Sequence, residues 1–305
     1  MRTSEELMKK ILQLKESLGA VILAHYYQLP EIQDIADFVG DSLNLARQAA
    51  QTQAEVIVFC GVRFMAESAK ILNPDKTVLL PAAEAGCPMA DMVTAEQLQA
   101  LKQEHPQAVV VSYVNSSAEV KAESNLCCTS SNALAVVNSI PREREVIFVP
   151  DRNLGSYVAA QTGRDMILWA GYCPIHNELA RDEVEASRRE HPGAQLVVHP
   201  ECTPEITAMA DAVCSTGGIL EYVKKSPSRE FIIGTEEGFL YTLQKNCPDK
   251  IFHMARGGFS CPDMKLVTLP LLADCLQYNR HQIEVPENIR IRASRALNGM
   301  LELRP

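Results

Sequence analysis

Three Cys-Pro pairs recur in this chain at nearly equal intervals, at Cys87-Pro88, Cys173-Pro174 and Cys261-Pro262. The intervals are 173 − 87 = 86 and 261 − 173 = 88 residues. Such spacing is typical of a unit that is repeated three times, and overlooking a repeat misassigns the whole fold. Three copies around a common axis would bring one thiolate each to a common centre. A metal or iron–sulfur site with one missing protein ligand would follow, and an open position is typical of catalytic sites.

Two other sets of residues repeat in the same phase. Apolar runs end at ring-bearing residues that are 113 − 25 = 88 and 199 − 113 = 86 residues apart, namely His25, Tyr113 and His199. Hydroxyl residues open helix-like segments at the same two offsets, namely Ser42, Ser130 and Thr216. Because these landmarks differ in chemistry but agree in phase, chance periodicity is a minor explanation.

The size and composition favour a globular protein of several compact units. The chain has 305 residues, and its formal net charge of −9 gives no support for nucleic-acid binding. No apolar run reaches the roughly 18 residues of a membrane helix. The N-terminal segment predicts an amphipathic helix with Thr3 and Glu6 as a capping box, and not a signal peptide. We therefore expect a cytoplasmic protein. In such a protein, ten cysteines favour metal binding or reactive thiols over disulfides.

Short apolar runs alternate with amphipathic segments along the chain. Strands are predicted at 20–24, 55–60, 77–81, 108–113, 145–149, 166–169, 194–199, 229–234 and 250–254. Helices are predicted between them at 42–52, 63–73, 94–104, 117–124, 130–139, 155–163, 178–190, 217–226 and 236–246. This alternation indicates βαβ units and parallel sheets.

The repeat and the alternation together predict an α/β fold of three domains. Each domain is expected to be a three-layer α/β/α sandwich, with repeats at 1–87, 88–173 and 174–261 related by a pseudo-threefold axis around a central active site. The remaining segment, 262–305, predicts helices at 265–278 and 287–303 that pack back on the body.

Ligands of parallel α/β units collect at the carboxyl ends of the strands. His25, Tyr113 and His199 are predicted at such ends, and the three hydroxyl residues at the following helix starts. Each hydroxyl alone would be an ordinary N-cap. In register, and with the free N–H groups of helix starts, they predict a cage for phosphate or carboxylate groups.

Candidate proton carriers lie just past the same strand ends, namely His25, Tyr27, Tyr113, His199 and Glu201. A single histidine at a strand end is usually a structural hydrogen-bonding group. His199 and Glu201 are more suggestive, because residues two apart in an extended segment face the same side. A carboxylate beside an imidazole can tune it for general acid–base catalysis.

The cysteines leave two interpretations open. We favour an iron–sulfur cluster held by Cys87, Cys173 and Cys261, with its fourth iron free to bind substrate. The alternative is three loop cysteines without a metal. Cys247 also precedes a proline, but its spacing of 247 − 173 = 74 departs from the repeat, so we expect it to lie outside the site.

Taken together, a series of motifs in this chain resembles those of the quinolinate synthase family, whose members are known as the A protein of NAD biosynthesis. The motifs cover nearly the whole chain in order and include HYYQLPEIQDIADFVGDSL, AGCPMAD, YVNSSAEVKAES, CCTSSNA, PDRNLG, GYCPIH, HPEC, STGG, GTEEG and FSCPDMK. Some members carry an additional C-x-x-C pair, which this sequence lacks.

The resemblance implies a fold of three domains related by a pseudo-threefold axis, a cofactor and a reaction. It implies one 4Fe–4S cluster with three cysteine ligands and one open iron, acting as a Lewis acid. It implies condensation of iminoaspartate with dihydroxyacetone phosphate to quinolinate, with release of phosphate and water, and a transient L-aspartate oxidase partner. The cluster ligands would be Cys87, Cys173 and Cys261. The substrate pocket would be lined by His25, Ser42, Tyr113, Asn115, Ser130, His199, Ser215 and Thr216. Tyr27, His199 and Glu201 would be the catalytic residues.

Three other functions compete with this one. An aconitase-like hydro-lyase would use the same open iron without a phosphorylated co-substrate. A redox sensor or electron-transfer protein would show reversible reduction of the cluster and no condensation. A metal-free anion-binding module would purify without iron. The acid–base residues at the strand ends favour catalysis over the last two.

Overall fold

The computed structural model describes residues 3–303. Outside the described residues lie Met1 and Arg2 of the predicted first repeat, and Arg304 and Pro305 of the predicted C-terminal segment. Within residues 3–303 the chain forms three four-stranded parallel sheets. No helix in this range combines the length and the apolar character needed to cross a membrane.

The first repeat alternates helices and strands in a fixed order. Its elements are α1 (Ser4–Ser17), β1 (Ala20–His25), α2 (Pro30–Ile35), β2 (Phe38–Gly40), α3 (Ser42–Gln51), β3 (Val56–Cys60), α4 (Arg63–Leu72) and β4 (Thr77–Leu79). The strand order is β2-β1-β3-β4, so the buried β1 and β3 are central and two short strands form the edges.

The second repeat has the same order. Its elements are α5 (Ala95–Glu104), β5 (Val109–Tyr113), α6 (Ala118–Ala122), β6 (Leu126–Cys128), α7 (Ala133–Asn138), β7 (Val146–Val149), α8 (Arg152–Thr162) and β8 (Ile167–Leu168). The strand order is β6-β5-β7-β8.

The third repeat adds one short helix before the common pattern. Its elements are α9 (Pro174–Asn177), α10 (Arg181–Glu190), β9 (Gln195–Val198), α11 (Pro204–Met209), β10 (Ala212–Val213), α12 (Thr216–Lys225), β11 (Glu230–Gly234), α13 (Phe239–Asn246) and β12 (Ile251–Met254). The strand order is β10-β9-β11-β12, so the three sheets share one topology.

Two C-terminal helices, α14 (Leu269–Tyr278) and α15 (Glu287–Glu302), lie against the first two repeats. Helix α14 packs against α1, and α15 packs against α4, α6 and β6. The Asn132 side chain donates to the carbonyl of Met300 at 3.0 Å, which fastens α15 to the second repeat.

The α/β class and the parallel sheets are confirmed, and all nine predicted strands are present. The sequence missed the same edge strand in every repeat, β2, β6 and β10. These strands have only two or three residues and are partly exposed, so they carry no apolar run that periodicity could detect. The short helices α2, α9 and α11, each of which begins at a proline, were also missed.

Some predicted helix boundaries were wrong for identifiable reasons. The helix predicted at 265–278 begins at Leu269, because Pro270 favours the first turn of a new helix rather than the interior of a longer one. The helix predicted at 178–190 begins at Arg181, where Glu183 accepts the backbone N–H of Ala180 at 2.9 Å. The capping box of Thr3 and Glu6 is confirmed.

Candidate active site

The carboxyl ends of the central strands β1, β5 and β9 meet at one cavity. It contains about 690 Å³ of empty space with its mouth included. Every residue that the sequence predicted for the site lines this cavity except Ser215. The lining members are His25, Tyr27, Ser42, Cys87, Tyr113, Asn115, Ser130, Cys173, His199, Glu201, Thr216 and Cys261.

Hydrogen bonds join the helix starts of the three repeats beside the cavity. The hydroxyl of Ser131 lies 2.9 Å from Oδ2 of Asp41 and 2.9 Å from Oγ of Ser215. Asp41 and Ser215 are themselves N-caps, which accept the backbone N–H groups of Asn44 at 2.8 Å and Gly218 at 3.1 Å. One side chain from each repeat therefore sets the spacing of the three helix starts.

The hydroxyl residues predicted as anion contacts stand next to these connecting residues. Ser42 and Thr216 are the first residues of α3 and α12 and not their caps. Ser130 lies in a turn three residues before Ala133, where α7 begins. Ser215 caps α12 and does not line the cavity, so its contribution is indirect.

The two strand-end histidines have the same local geometry. Nδ1 of His25 accepts the backbone N–H of Tyr27 at 3.2 Å, and Nδ1 of His199 accepts that of Glu201 at 3.3 Å. Burial, with a smaller contribution from His199, lowers the pKa of His25 to about 3. Burial also lowers the pKa of His199 to about 3. Both rings are therefore neutral near pH 7 with the proton on Nε2, and each offers that N–H as a donor.

A buried chain of hydrogen bonds connects the candidate acid–base groups. Tyr113 donates its hydroxyl to Oε1 of Glu201 at 2.6 Å, and Oε2 of Glu201 lies 2.8 Å from Nδ1 of His176. On its other side, Nε2 of His176 lies 2.9 Å from Oγ1 of Thr235. That hydroxyl lies 2.6 Å from the hydroxyl of Tyr27. Tyr27 and Glu201 are therefore linked through two side chains.

The surroundings shift the pKa values of the carboxylate and the phenols in opposite directions. Burial opposes the ionised form of Glu201, but the neighbouring imidazoles and the hydroxyl of Tyr113 lower its pKa to about 2. Burial, followed by the charge of Glu201, raises the pKa of Tyr27 well above its usual value, and the same causes act on Tyr113. The site thus contains an ionised carboxylate beside two protonated phenols at neutral pH.

The three cysteines of the repeat occupy equivalent positions in three loops. Each follows the last strand of its sheet and precedes a short helical turn, at 90–92 after Cys87, at α9 after Cys173 and at 263–265 after Cys261. The loops of Cys87 and Cys261 are joined, since the N–H of Gly86 donates to Oδ1 of Asp263 at 3.1 Å. Cys247, by contrast, is the C-cap of α13 and lies outside the cavity.

Burial favours the protonated form of these three thiols. Burial raises the pKa of Cys87 to about 12 and that of Cys261 to about 11, and it raises the pKa of Cys173 well above its usual value. The backbone N–H three residues further on acts against this rise in all three cases, because it favours a thiolate at a helix start. Metal ions bind thiolates and displace their protons. Three partly buried thiols of this kind fit an iron–sulfur cluster with three protein ligands.

Glu236 supports the third cysteine loop and was not predicted. It is 1% exposed, accepts the N–H of Cys261 at 3.0 Å and lies 2.7 Å from Nζ of Lys265. Burial raises the pKa of Glu236, and Lys265 opposes that rise. The motif GTEEG contains this residue, but its spacing alone did not indicate a role. His176, three residues after Cys173, contacts both Cys173 and Glu201.

The lining of the cavity is acidic and hydroxyl-rich. Its side chains include the carboxylates of Asp41, Glu201 and Glu236, and none among the described residues is lysine or arginine. Anionic groups of a ligand would therefore depend on hydroxyls, backbone N–H groups, neutral imidazoles and a bound metal. The amide oxygen of Asn115 is buried and has no hydrogen-bond partner in the described structure, so it is free to accept one.

The three like sheets thus bring thiols, imidazoles and an ionised carboxylate to one cavity, an arrangement typical of an enzyme active site. Residues 9–302 match the model of the quinolinate synthetase A protein family. The chain belongs to that family and is an enzyme of the quinolinate synthase kind.

Relatives from distant organisms match over nearly their full length. The quinolinate synthase of Desulforudis audaxviator is 53% identical over 99% of this chain and 100% of its own. Quinolinate synthase 1 of Methanosarcina acetivorans is 52% identical over 98% of each chain. The quinolinate synthase of Geotalea uraniireducens is 54% identical over 98% of each chain.

Proposed function

We propose that this enzyme condenses iminoaspartate with dihydroxyacetone phosphate to quinolinate, releasing phosphate and water, in the biosynthesis of NAD. The observation that carries the proposal is the placement of three equivalent thiols in the same cavity as the linked acid–base groups. Membership of the family supports it independently.

The proposed cofactor is one 4Fe–4S cluster held by Cys87, Cys173 and Cys261. When bound, such a cluster with one iron lacking a protein ligand supplies a Lewis acid. Hydrogen bonds support two of the ligand loops, because Glu236 accepts the N–H of Cys261 and Asp263 accepts that of Gly86. These contacts hold two of the ligand loops in fixed conformations.

Binding of the two substrates is assigned to neutral donors. The Nε2–H groups of His25 and His199 face the cavity and can donate to carboxylate or carbonyl oxygens. The hydroxyls of Ser42, Ser130 and Thr216 lie at or near helix starts, where backbone N–H groups favour anions. Ser215 acts indirectly by fixing the start of α12.

Two further pocket residues, Tyr113 and Asn115, orient the reacting groups. The unpartnered amide oxygen of Asn115 can accept an N–H or O–H of a substrate. Tyr113 holds the carboxylate of Glu201 through the 2.6 Å hydrogen bond from its hydroxyl. A substrate bound beside Tyr113 and Asn115 would therefore contact a carboxylate of Glu201 that is held in place.

Proton transfer is assigned to Tyr27, His199 and Glu201. Glu201 is the ionised carboxylate of the linked groups and is assigned as the general base, while Tyr27 remains protonated and is assigned as the general acid. The link through Thr235 and His176 gives a path by which a proton taken by Glu201 can return to Tyr27. His199, whose Nε2 lies 3.1 Å from Oγ of Ser130, can donate to the oxygen that develops charge.

The supply of iminoaspartate completes the proposal. This substrate is the product of aspartate oxidation, so a transient L-aspartate oxidase is the expected partner. All ten cysteines are free thiols in the described structure, which fits a cytoplasmic, reducing compartment.

The test is an anaerobic preparation with iron and sulfide analysis, followed by assay for quinolinate. We expect about four irons and four sulfides per chain, lost in Cys87→Ala, Cys173→Ala and Cys261→Ala and retained in the control Cys247→Ala. Quinolinate should form only when dihydroxyacetone phosphate is present, which distinguishes the proposal from a hydro-lyase. An iron-free active protein, or a cluster that requires Cys247, would contradict it.

A further inference from the structure

Lys121, in α6 of the second repeat, is a buried lysine that the proposed function does not use. Its side chain is 0% exposed, although a charged side chain is almost never fully buried unless it is paired. Within residues 3–303 its ammonium forms no ion pair with a carboxylate, and its contacts are the carbonyl of Ser116 and the ring of Phe64. Burial lowers the pKa of Lys121. Burying a charge costs stability, which favours a role in function for this residue.

Both contacts of Lys121 lie directly behind the wall of the active-site cavity. Phe64 lines the cavity, and the Lys121 ammonium lies 5.5 Å from the centroid of its ring, which is within the range of an attractive cation–π contact. Ser116 ends the turn that follows β5, and this turn carries the two pocket residues Tyr113 and Asn115. Lys121 therefore contacts the support of the cavity and not its interior.

The turn of residues 113–116 is closed by Ser116. Its hydroxyl donates to the carbonyl of Tyr113 at 3.0 Å, and its N–H donates to the carbonyl of Val114 at 2.9 Å. Its own carbonyl accepts the ammonium of Lys121. The amide oxygen of Asn115 has no hydrogen-bond partner in the described structure, so its position depends on the backbone of this turn.

The first repeat contains the same contact in the same phase. Gln33 of α2 donates from Nε2 to the carbonyls of Gln28 at 2.9 Å and Tyr26 at 3.0 Å. The offsets are 121 − 33 = 88 and 116 − 28 = 88, equal to the 113 − 25 = 88 between the strand-end rings. In both repeats, therefore, a donor five residues after the end of the turn holds its last carbonyl.

The third repeat lacks a donor at this position. Thr207, at 207 − 121 = 86 residues from Lys121, donates to the carbonyl of Pro204 at 3.1 Å instead. Its turn is held from the second repeat, since Nδ2 of Asn153 donates to the carbonyl of Glu201 at 3.0 Å. Each of the three pocket turns therefore has a side-chain donor on a backbone carbonyl, and Lys121 is that donor in the second repeat.

We propose that Lys121 is a positioning residue, which holds the turn of residues 113–116 so that Tyr113 and Asn115 keep their places in the cavity. The inference rests on the proposed function, because it takes the cavity as the substrate site. Loss of the ammonium would leave the buried carbonyl of Ser116 unpaired, and the turn would shift towards another partner. A displacement of about 1 Å in an active site can lower the rate about 100-fold.

The experiment measures quinolinate formation and the urea midpoint on anaerobic, cluster-loaded protein. Lys121→Gln introduces the donor of the first repeat, and Lys121→Thr introduces the residue of the third repeat, which does not make the contact. Lys121→Met removes every donor at nearly constant length. The matched control is Lys102→Met, because Lys102 donates to the carbonyl of Glu123 at 2.8 Å in the same repeat but contacts neither the turn nor Phe64.

We expect kcat/KM to fall about ten- to hundredfold in Lys121→Met and Lys121→Thr and to stay close to wild type in Lys121→Gln and Lys102→Met. Rescue by glutamine distinguishes positioning from a general loss of stability, which the urea midpoints report separately. Either of the two variants without the donor is sufficient if the other does not fold. Wild-type kcat/KM in a folded variant without the donor, or an equal loss in Lys121→Gln, would overturn the proposal.

Hydrogen exchange of the amides of residues 113–117, followed by mass spectrometry, tests the contact independently of turnover. Exchange should be faster in Lys121→Met and Lys121→Thr than in wild type and Lys121→Gln, because the turn loses its donor. If wild type forms no quinolinate, the proposed function fails, and this exchange alone decides on the role of Lys121. Equal exchange rates in all four proteins would overturn the proposal.

Discussion

Replacing Gly217 by alanine tests whether the three helix starts must keep their present spacing. A Cβ atom at this position would lie 2.6 Å from Oδ2 of Asp41. Ordinary contact begins near 3.4 Å, so the two groups must separate by 3.4 − 2.6 = 0.8 Å. Asp41 is buried and bonded both to the N–H of Asn44 and to the hydroxyl of Ser131, so its carboxylate cannot move alone.

The magnitude follows from the ways in which the clash can be relieved. Losing the hydrogen bond from Ser131 to a carboxylate costs about 1.5–3 kcal/mol, and shifting the backbone of an overpacked site costs about 1–3 kcal/mol. These are alternatives and do not add. Alanine favours the helix over glycine by up to about 1 kcal/mol, which leaves a net loss of up to about 2 kcal/mol. Thr216 lines the cavity and would move together with residue 217. A displacement of about 1 Å in an active site can lower the rate about 100-fold. We therefore expect kcat/KM to fall about ten- to hundredfold.

The assay combines urea unfolding with steady-state kinetics of quinolinate formation on anaerobic, cluster-loaded protein. Gly193→Ala is the matched control, because its Cβ would meet nothing closer than an oxygen of Glu230 at 3.9 Å. We expect a lower urea midpoint and a lower kcat/KM for Gly217→Ala alone, with unchanged iron content. Wild-type values of both quantities in Gly217→Ala would refute the reasoning that links this spacing to substrate binding.

Two further predictions address the acid–base groups and the buried histidines. Glu201→Gln and Tyr27→Phe should each reduce kcat at least about 100-fold, the range of general acid–base catalysis, with the cluster content of wild type by iron and sulfide analysis. Burial holds the pKa of His25 and His199 at about 3 against 6.5 in the unfolded chain. The unfolded state therefore binds more protons below about pH 6.5, and each histidine lowers stability by up to about 1.4 kcal/mol per pH unit as the pH falls. Urea midpoints from pH 7.5 to 5.5 should show this slope, reduced in His199→Gln.

Each of these predictions has an outcome that would contradict it. Full turnover in Glu201→Gln or Tyr27→Phe with an intact cluster would remove that residue from the proton-transfer scheme. The same pH slope in His199→Gln as in wild type would mean that other groups cause the loss of stability.

The repeat made the fold and most of the candidate site predictable from the sequence. Strand ends and cysteine loops recur at fixed offsets, so one interpretation of the pattern placed residues from three distant segments together. The assigned roles of the site residues stay predictions, as do the domain boundaries. The edge strands β2, β6 and β10 could not be predicted, because hydrogen bonds to a neighbouring strand define them and not an apolar pattern.

Long-range contacts of single side chains explain the other omissions. Ser131 joins Asp41 to Ser215 across 90 and 84 residues of sequence. Thr235 connects Tyr27 to His176, and Glu236 supports the loop of Cys261. No local propensity marks these residues, since each would be an ordinary surface or turn residue in another setting. Only their burial, at 0% and 1% exposure for Thr235 and Glu236, shows that their polar atoms must have partners.

The symmetry of the backbone also explains how one site acquires different chemistries. Tyr27, Asn115 and Glu201 occupy equivalent positions, at 115 − 27 = 88 and 201 − 115 = 86 residues apart, each two residues after a strand-end ring. The fold therefore presents three side chains to the cavity in the same way, and the sequence makes one a phenol, one an amide and one a carboxylate. A symmetric set of three carboxylates would repel one another in this buried space and would share protons. Divergence at this position instead leaves one ionised carboxylate, one protonated phenol and one neutral amide, a combination that the proposed condensation could use.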